Sequence, residues 1–266
     1  MKENRPKKFM KSFPVGKLPH DMLERMLSDY VSDDPRVVVG PRVGEDATVI
    51  DMGESLLVAK SDPITFAAEQ IGWYAVNVNA NDIAVTGVRP RWFLSTILLP
   101  EGIGEEEIRA LFRGMRATLD RLDIVLVGGH IEVTASVRQT VVSGHILGFA
   151  PDGVFLRTAD MKPGDALLQI GPAPVEAAAV LANEVAAAEQ SVAPDLWRAA
   201  LGALTAPGIS VVEAALRAVS LGAHALHDPT EGGLSAGLHE MAEAAGLALK
   251  LDEHAVLWFE PGTALC

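Results

Sequence analysis

The sequence predicts an α+β protein of two domains. Runs of β character alternate with runs of helical periodicity as far as Ala150, a Pro151-Asp152-Gly153 loop follows, and the composition then turns alanine-rich. With 266 residues, 49% of them hydrophobic, there is chain enough for two ordinary cores. The divisions expected are a basic arm and helix over 1–35, a first domain over 36–153, and a second, more helical domain over 154–266.

Taken in order, Pro19 to Val31 carries Met22, Leu23, Met26, Leu27 and Tyr30 at helical spacing, then meets the turn formers Ser32-Asp33-Asp34-Pro35. Ala47 to Asp51 and Leu56 to Lys60 read as two strands of a hairpin turned at Gly53. Phe66 to Gly87 is apolar on one face and free of proline, a long helix in which Asn77, Asn79 and Asn81 are unusual. Trp92 to Leu99 is a strand. Gly104 to Leu122 is a helix opened by Glu105, Glu106 and Glu107, which suit the positive end of its dipole. Ile124 to Val127 reads as a short buried strand and Gln139 to Phe149 as another. In the second domain, strands are expected at Leu167 to Ile170, Ala223 to Leu226 and Ala248 to Leu251. Helices are expected near Pro174 to Ala188, Asp195 to Leu204, Ser210 to Leu221 and Leu234 to Ala245.

Charge and cysteine content narrow the function classes. Lys and Arg number 22 against 35 Asp and Glu, a net charge of −13, so sequence-independent nucleic-acid binding is not expected. No apolar run reaches the ~18 residues of a membrane helix; the alanine-rich stretch from Val175 to Ala188 is broken by Glu176 and Glu184. One cysteine, Cys266, allows no intrachain disulfide, and a cytoplasmic protein is expected. The basic residues Lys2, Arg5, Lys7, Lys8 and Lys11 read either as a solubilising arm or as a flap over a polyphosphate.

Neither a P-loop nor a dinucleotide glycine fingerprint is present. The chemistry-bearing residues are acidic groups at junctions: Asp46 before a strand, Asp62 just after one, and Asp82 within the long helix. Oxygen ligands so placed suit Mg²⁺ bridged to phosphates, although any one of them could be an ordinary turn former. Gly128-Gly129-His130-Ile131-Glu132 follows an apolar run and permits a sharp turn presenting amides to a ligand. His227-Asp228-Pro229-Thr230-Glu231-Gly232-Gly233 opens a helix, with Asp228 and Thr230 as caps and the first amides open to an anion. A zinc site from His224, His227, Asp228 and His239 is disfavoured, because strand residues three apart face opposite ways.

Together these segments resemble the superfamily of aminoimidazole ribonucleotide (AIR) synthase, selenophosphate synthetase, thiamine-monophosphate kinase and the hydrogenase maturation protein HypE. The matching residues are Gly16-Lys17-Leu18-Pro19, Gly44-Glu45-Asp46-Ala47, Ser61-Asp62-Pro63-Ile64-Thr65, Asn81-Asp82-Ile83-Ala84 with Gly87 and Pro90, Gly128 to Thr134, and His227 to Leu234. They run in family order over nearly the whole chain, and the HypE-like branch is the nearest in pattern. The resemblance implies an N-terminal mixed-sheet domain that pairs across a homodimer, a C-terminal α/β domain, and ATP with Mg²⁺ bound between them. It implies Asp46, Asp62, Asp82, Glu132 and Asp228 as metal ligands, and Asp46, Asp82 and His130 in catalysis. Lys17, Gly44, Asp62, Asn81, Gly128, Gly129, Thr230, Gly232 and Gly233 become the nucleotide contacts. The reaction implied is phosphoryl transfer to an amide, carboxylate or phosphate-bearing acceptor. The alternatives are HypE chemistry proper, which dehydrates a carbamoyl-cysteine in concert with a maturation partner, or a non-catalytic nucleotide-binding paralogue. This chain departs from the pattern at His130, where an acidic residue is usual. It also departs in ending some tens of residues early, so that Cys266 reads as part of an internal family segment and the second domain as incomplete.

Overall fold

A computed structural model describes residues 16, 18, 20–27, 33–41, 45, 47–66, 70–185, 189 and 192–265. The expected site residues Lys17, Gly44 and Asp46, the basic arm and Cys266 lie outside the described residues. The first helix, α1, covers His20–Leu27.

Six strands form one mixed sheet: β1 (Val37–Val39), β2 (Thr48–Asp51), β3 (Leu56–Ile64), β4 (Pro90–Leu99), β5 (Val125–Val133) and β6 (Val141–Ala150). Their order is β1-β2-β3-β6-β4-β5, antiparallel throughout except for the parallel pair β4 and β5. The predicted hairpin is β2 and β3, with Met52 donating its amide to Ser55 across the turn. Two helices belong to this layer, α2 (Ile71–Ala84) and α3 (Glu105–Leu122). The Gly104 amide donates to Glu107 at 2.9 Å, closing the start of α3 as its glutamates suggested.

The core lies between the sheet and these helices. Val58, Phe93, Ile97, Val142 and Ile146 project from the strands onto α2, which is buried along almost its whole length. Small residues make that approach possible: a Cβ on Gly144 would fall 2.4 Å from the Asn79 amide nitrogen, and one on Gly72 would fall 2.2 Å from the Leu111 carbonyl oxygen of α3. Val175, Ala179, Leu204, Val212 and Ala215 extend this core into the second half of the chain.

That second half is built on helices: α4 (Val175–Glu184), α5 (Pro194–Leu201), α6 (Val212–Ser220), α7 (Gly233–Ala245) and α8 (Glu260–Leu265). The strands expected at 167–170, 223–226 and 248–251 do not form, because among the described residues no neighbouring strand accepts their ladder bonds. What remains is a single bridge between Ala173 and Trp258, beside which the Gln169 amide both donates to and accepts from the Leu257 backbone. Leu168 is 80% exposed and Trp258 59%.

Two further expectations need correction. The long helix begins after Gln70, whose φ of 56° breaks the helical path, rather than at Phe66. The strand expected to be short and buried at 124–127 is β5, nine residues long and exposed at every position. It lies at the end of the sheet, and among the described residues its apolar side chains meet no covering layer. No single described helix is long and apolar enough to cross a membrane.

Candidate functional site

The site begins as a polar interruption of an apolar face. Alternation along β3 sends Val58, Lys60, Asp62 and Ile64 to the side facing α2; the outer two are fully buried and the middle two are charged. Asp62 is therefore inside a strand, not after one. β3 continues past Pro63, its ladder with β6 running from Leu56↔Ala150 to Ile64↔Val142.

Helix α2 answers this interruption with polar residues of its own. Asn79 is fully buried; its amide oxygen accepts from the Asp62 backbone N–H at 2.9 Å and its nitrogen donates to the Asp62 carbonyl at 3.1 Å and to Ala75 O at 2.8 Å. One turn on, Asp82 places its carboxylate Oδ2 3.3 Å from the Lys60 ammonium, with only 5% of the Asp82 side chain exposed. Asn77 and Asn81 serve other walls. Asn77 donates to Trp73 O and accepts from the Arg121 guanidinium of α3 at 2.8 Å. Asn81 donates to Ile209 O at 2.8 Å and accepts from Val211 N at 2.9 Å. The three asparagines that looked unusual for a helix thus tie α2 to three different parts of the molecule. Both ends of the Asn81 amide are engaged inside the chain.

One carboxylate near Asp62 was missed. Glu176, in the first turn of α4, is held above the usual carboxylate range by burial first and by the negative charge of Asp62 second. An alanine-rich segment gave no reason to single it out; the signal available was an acidic residue at a helix start. Lys60 was likewise missed, because a lysine at the end of a strand reads as a solvated edge.

The other expected residues lie elsewhere. Gly128 and Gly129 form no turn; they sit in the middle of β5, where a Cβ on Gly129 would fall 2.2 Å from Ser95 O, so these glycines let β5 approach β4 closely. The rung through Asp62 runs to Gly144, Ser95 and Gly129. Three strand spacings, ~14 Å, therefore separate Asp62 from the His130 and Glu132 region. His130 and Glu132 are exposed and 3.4 Å apart.

At the other motif Gly232, with φ of 90°, is the N-cap of α7, and no side chain caps that helix. Asp228 is buried; Thr230 is exposed and its carbonyl accepts from the Gly233 amide. A Cβ on Gly16 would fall 3.4 Å from a Glu231 carboxylate oxygen, which places Gly16 beside this motif. The histidines disperse: His224 contacts Asp165, His227 contacts Glu240 at 2.9 Å, and His239 contacts Ser235 O.

Magnesium is the cation the acidic residues suggest. Among the described residues no three carboxylate, thiol or imidazole groups gather so as to hold a metal ion, and the Asp82 carboxylate faces an ammonium. The described residues do not complete a magnesium site.

Models of the AIR synthase related protein family match in two consecutive pieces, the N-terminal domain over residues 44–150 and the C-terminal domain over 162–265. The carbamoyl dehydratase HypE of Bradyrhizobium diazoefficiens is 28% identical over 229 residues, covering 83% of this chain and 63% of its own. The chain spans less than two thirds of the length of that relative and of others like it. Among solved structures, a HypE–HypF complex aligns with a TM-score of 0.71 at 21% identity over 92% of this chain and 77% of the other. A HypE bound to ATP aligns at 0.66 and 22%, over 91% and 71%. At such identities the structures establish the shared fold.

Proposed function

Because this chain belongs to the AIR synthase related family, we propose that it is an ATP-dependent enzyme of the HypE-like group, activating an amide, carboxylate or phosphate-bearing acceptor by phosphoryl transfer. The observation that carries the reading is the charged window on the buried face of β3, where Lys60 meets Asp82 of α2 and Asp62 lies within electrostatic reach of Glu176. Burying charge in a sheet–helix core is costly, and such groups concentrate where a ligand's charge has to be met. The resolved HypE bound to ATP supports the choice of nucleotide.

In the proposed step an acceptor oxygen attacks the γ-phosphorus, the bond from that phosphorus to the β–γ bridging oxygen breaks, and ADP departs with the electron pair. Catalysis of this kind is positioning and charge neutralisation. Asp62 is well suited to it, since Asn79 grips its backbone on both sides and fixes where its carboxylate emerges. The start of α7 at Gly232, beside Gly16, is the proposed phosphate cradle, with Thr230 and Asp228 at its rim; the Gly233 amide is already given to the Thr230 carbonyl.

A homodimer along β5 belongs to the same reading. Val125, Leu126, Val127, Ile131 and Val133 are 43% to 57% exposed on a strand whose outer edge has no neighbour among the described residues. A partner there would bring His130 and Glu132 into an interface. The HypE–HypF complex supports a maturation protein as a further partner.

Calorimetric titration with a non-hydrolysable ATP analogue tests the site. The wild type is expected to bind in the micromolar range. Asp62→Asn is expected to lose at least about tenfold in affinity while melting within a few degrees of wild type. Unchanged affinity in that variant would overturn the site assignment.

A further inference from the structure

Lys60 helps make the charged window but has no assigned part in the proposed step, and its position is difficult to explain by packing. It sits between Val58 and Asp62 on the inward face of β3, its side chain 22% exposed, with its ammonium 3.3 Å from Asp82 Oδ2. An ammonium is strongly hydrated and costly to withdraw from water, and an apolar residue would serve an inward strand position better. The contact has a different use. Asp82 is the most deeply buried of the expected metal ligands among the described residues, and the cation beside it is supplied by the fold.

We propose that Lys60 is the resident cation of the Asp82 carboxylate: it keeps a divalent ion off that carboxylate and offers a fixed positive charge to the polyphosphate of a bound nucleotide. The inference deepens the nucleotide reading and rests on it for the identity of the anion. In chemical terms a counter-ion that must be recruited is replaced by one tethered to β3, within reach of the same ligand as Asp62 two residues along the strand. The position is then always charged, at any metal concentration, and the demand for a divalent ion falls.

Two measurements on the full chain test this: thermal melting with Mg²⁺ alone, and calorimetry with a non-hydrolysable ATP analogue in EDTA and in Mg²⁺. Wild type is expected to show no rise in melting temperature with Mg²⁺ alone and to bind the analogue in EDTA within about tenfold of its affinity in Mg²⁺. Lys60→Met is expected to lose binding in EDTA by more than about tenfold and to gain a melting-temperature rise with Mg²⁺, because the Lys60 charge no longer competes with an ion for Asp82. Lys60→Arg keeps the charge and is expected to behave as wild type in both measurements. Equal Mg²⁺ responses and equal EDTA affinities in wild type and Lys60→Met would overturn the proposal.

Should Lys60→Met fail to fold, the double variant Lys60→Met/Asp82→Asn removes both buried charges. It is expected to fold, to lose binding in EDTA and to gain no Mg²⁺ response, and binding in EDTA at wild-type strength would overturn the proposal. A wild type that binds no analogue under any condition defeats the nucleotide reading. The Mg²⁺ melting of Lys60→Met against wild type then still decides whether Lys60 holds Asp82 against the metal.

Discussion

As far as Ala150 the chain satisfies its backbone in a six-stranded ladder and fills the space beneath it with Phe93, Ile97, Val142 and Ile146. Beyond Ala150 the described helices meet through small residues, Ala178, Ala182 and Ala200 under Trp197 and Phe259, while the stretches at 167–170, 223–226 and 248–251 form no strands and have no ladder partners among the described residues. The two regions also hold their chemistry differently. Asp62 and Asp82 are set by a strand and a helix locked together, whereas the Thr230 to Gly233 segment is a turn whose position depends on the start of α7. The contrast teaches that the first region supplies rigidity to the site and the second supplies a wall laid against it.

The sharpest way to break this contrast is to truncate one large side chain in each region. Phe93→Ala, in the fully buried centre of the sheet layer, is expected to cost about 3–5 kcal/mol in chemical denaturation. Trp197→Ala, partly buried over the alanine cluster, is expected to cost less than half as much. Equal losses would mean that the regions are equally well packed. Next in size is Gly72→Ala: its Cβ meets the backbone of α3, which cannot swing away as a side chain can, and a loss of about 1–3 kcal/mol is expected. Asn81→Ala tests the tie between regions. It leaves the Val211 N–H and the Ile209 carbonyl without their partner and is expected to cost about 1–3 kcal/mol, read as a lower denaturation midpoint.

The smallest effects are electrostatic. Glu176 holds its proton to higher pH in the folded chain than in the unfolded one, so its contribution to stability is fullest below the ordinary glutamate range near pH 4.3 and is lost as pH rises through the raised folded value. Glu176→Gln is therefore expected to melt higher than wild type at neutral pH, with the difference vanishing in acid. A constant difference across pH would show that Glu176 acts by shape alone. Arg89→Ala removes an exposed pair with Glu213 across the two regions and is expected to cost no more than about 1 kcal/mol, falling with salt.

Much of the first region was legible because its signals are local. The glutamates in the first turn of the helix at 105–122, the turn at Gly53 and the apolar alternation of 141–150 depend on neighbours a few residues away. Burial and pairing depend on distant residues. Val125 to Val127 has the composition of a buried strand, yet its exposure follows from its place at the end of the sheet. The glycines at 128 and 129 have the composition of a turn, yet they serve close strand packing against Ser95. In the second region the apolar runs at 167–170 and 248–251 are strand-like in sequence, but a strand is a relation to a neighbour, and the described residues supply none. At the site, Asp62 and Asp82 could be read from motif and chemistry. Lys60 and Glu176 become meaningful only once β3, α2 and α4 are brought together.

The Asn81 tie also bears on the order in which the chain can assemble. Its partners at 209 and 211 lie 128 and 130 residues further on, a separation whose closure forms late in folding. A chain growing from its N-terminus completes all six strands well before residue 211 is made, while α2 still lacks the partners of one buried amide. The sheet layer is thus set up to form first and wait, and synthesis of the α6 start is the event that seals α2 on its last side.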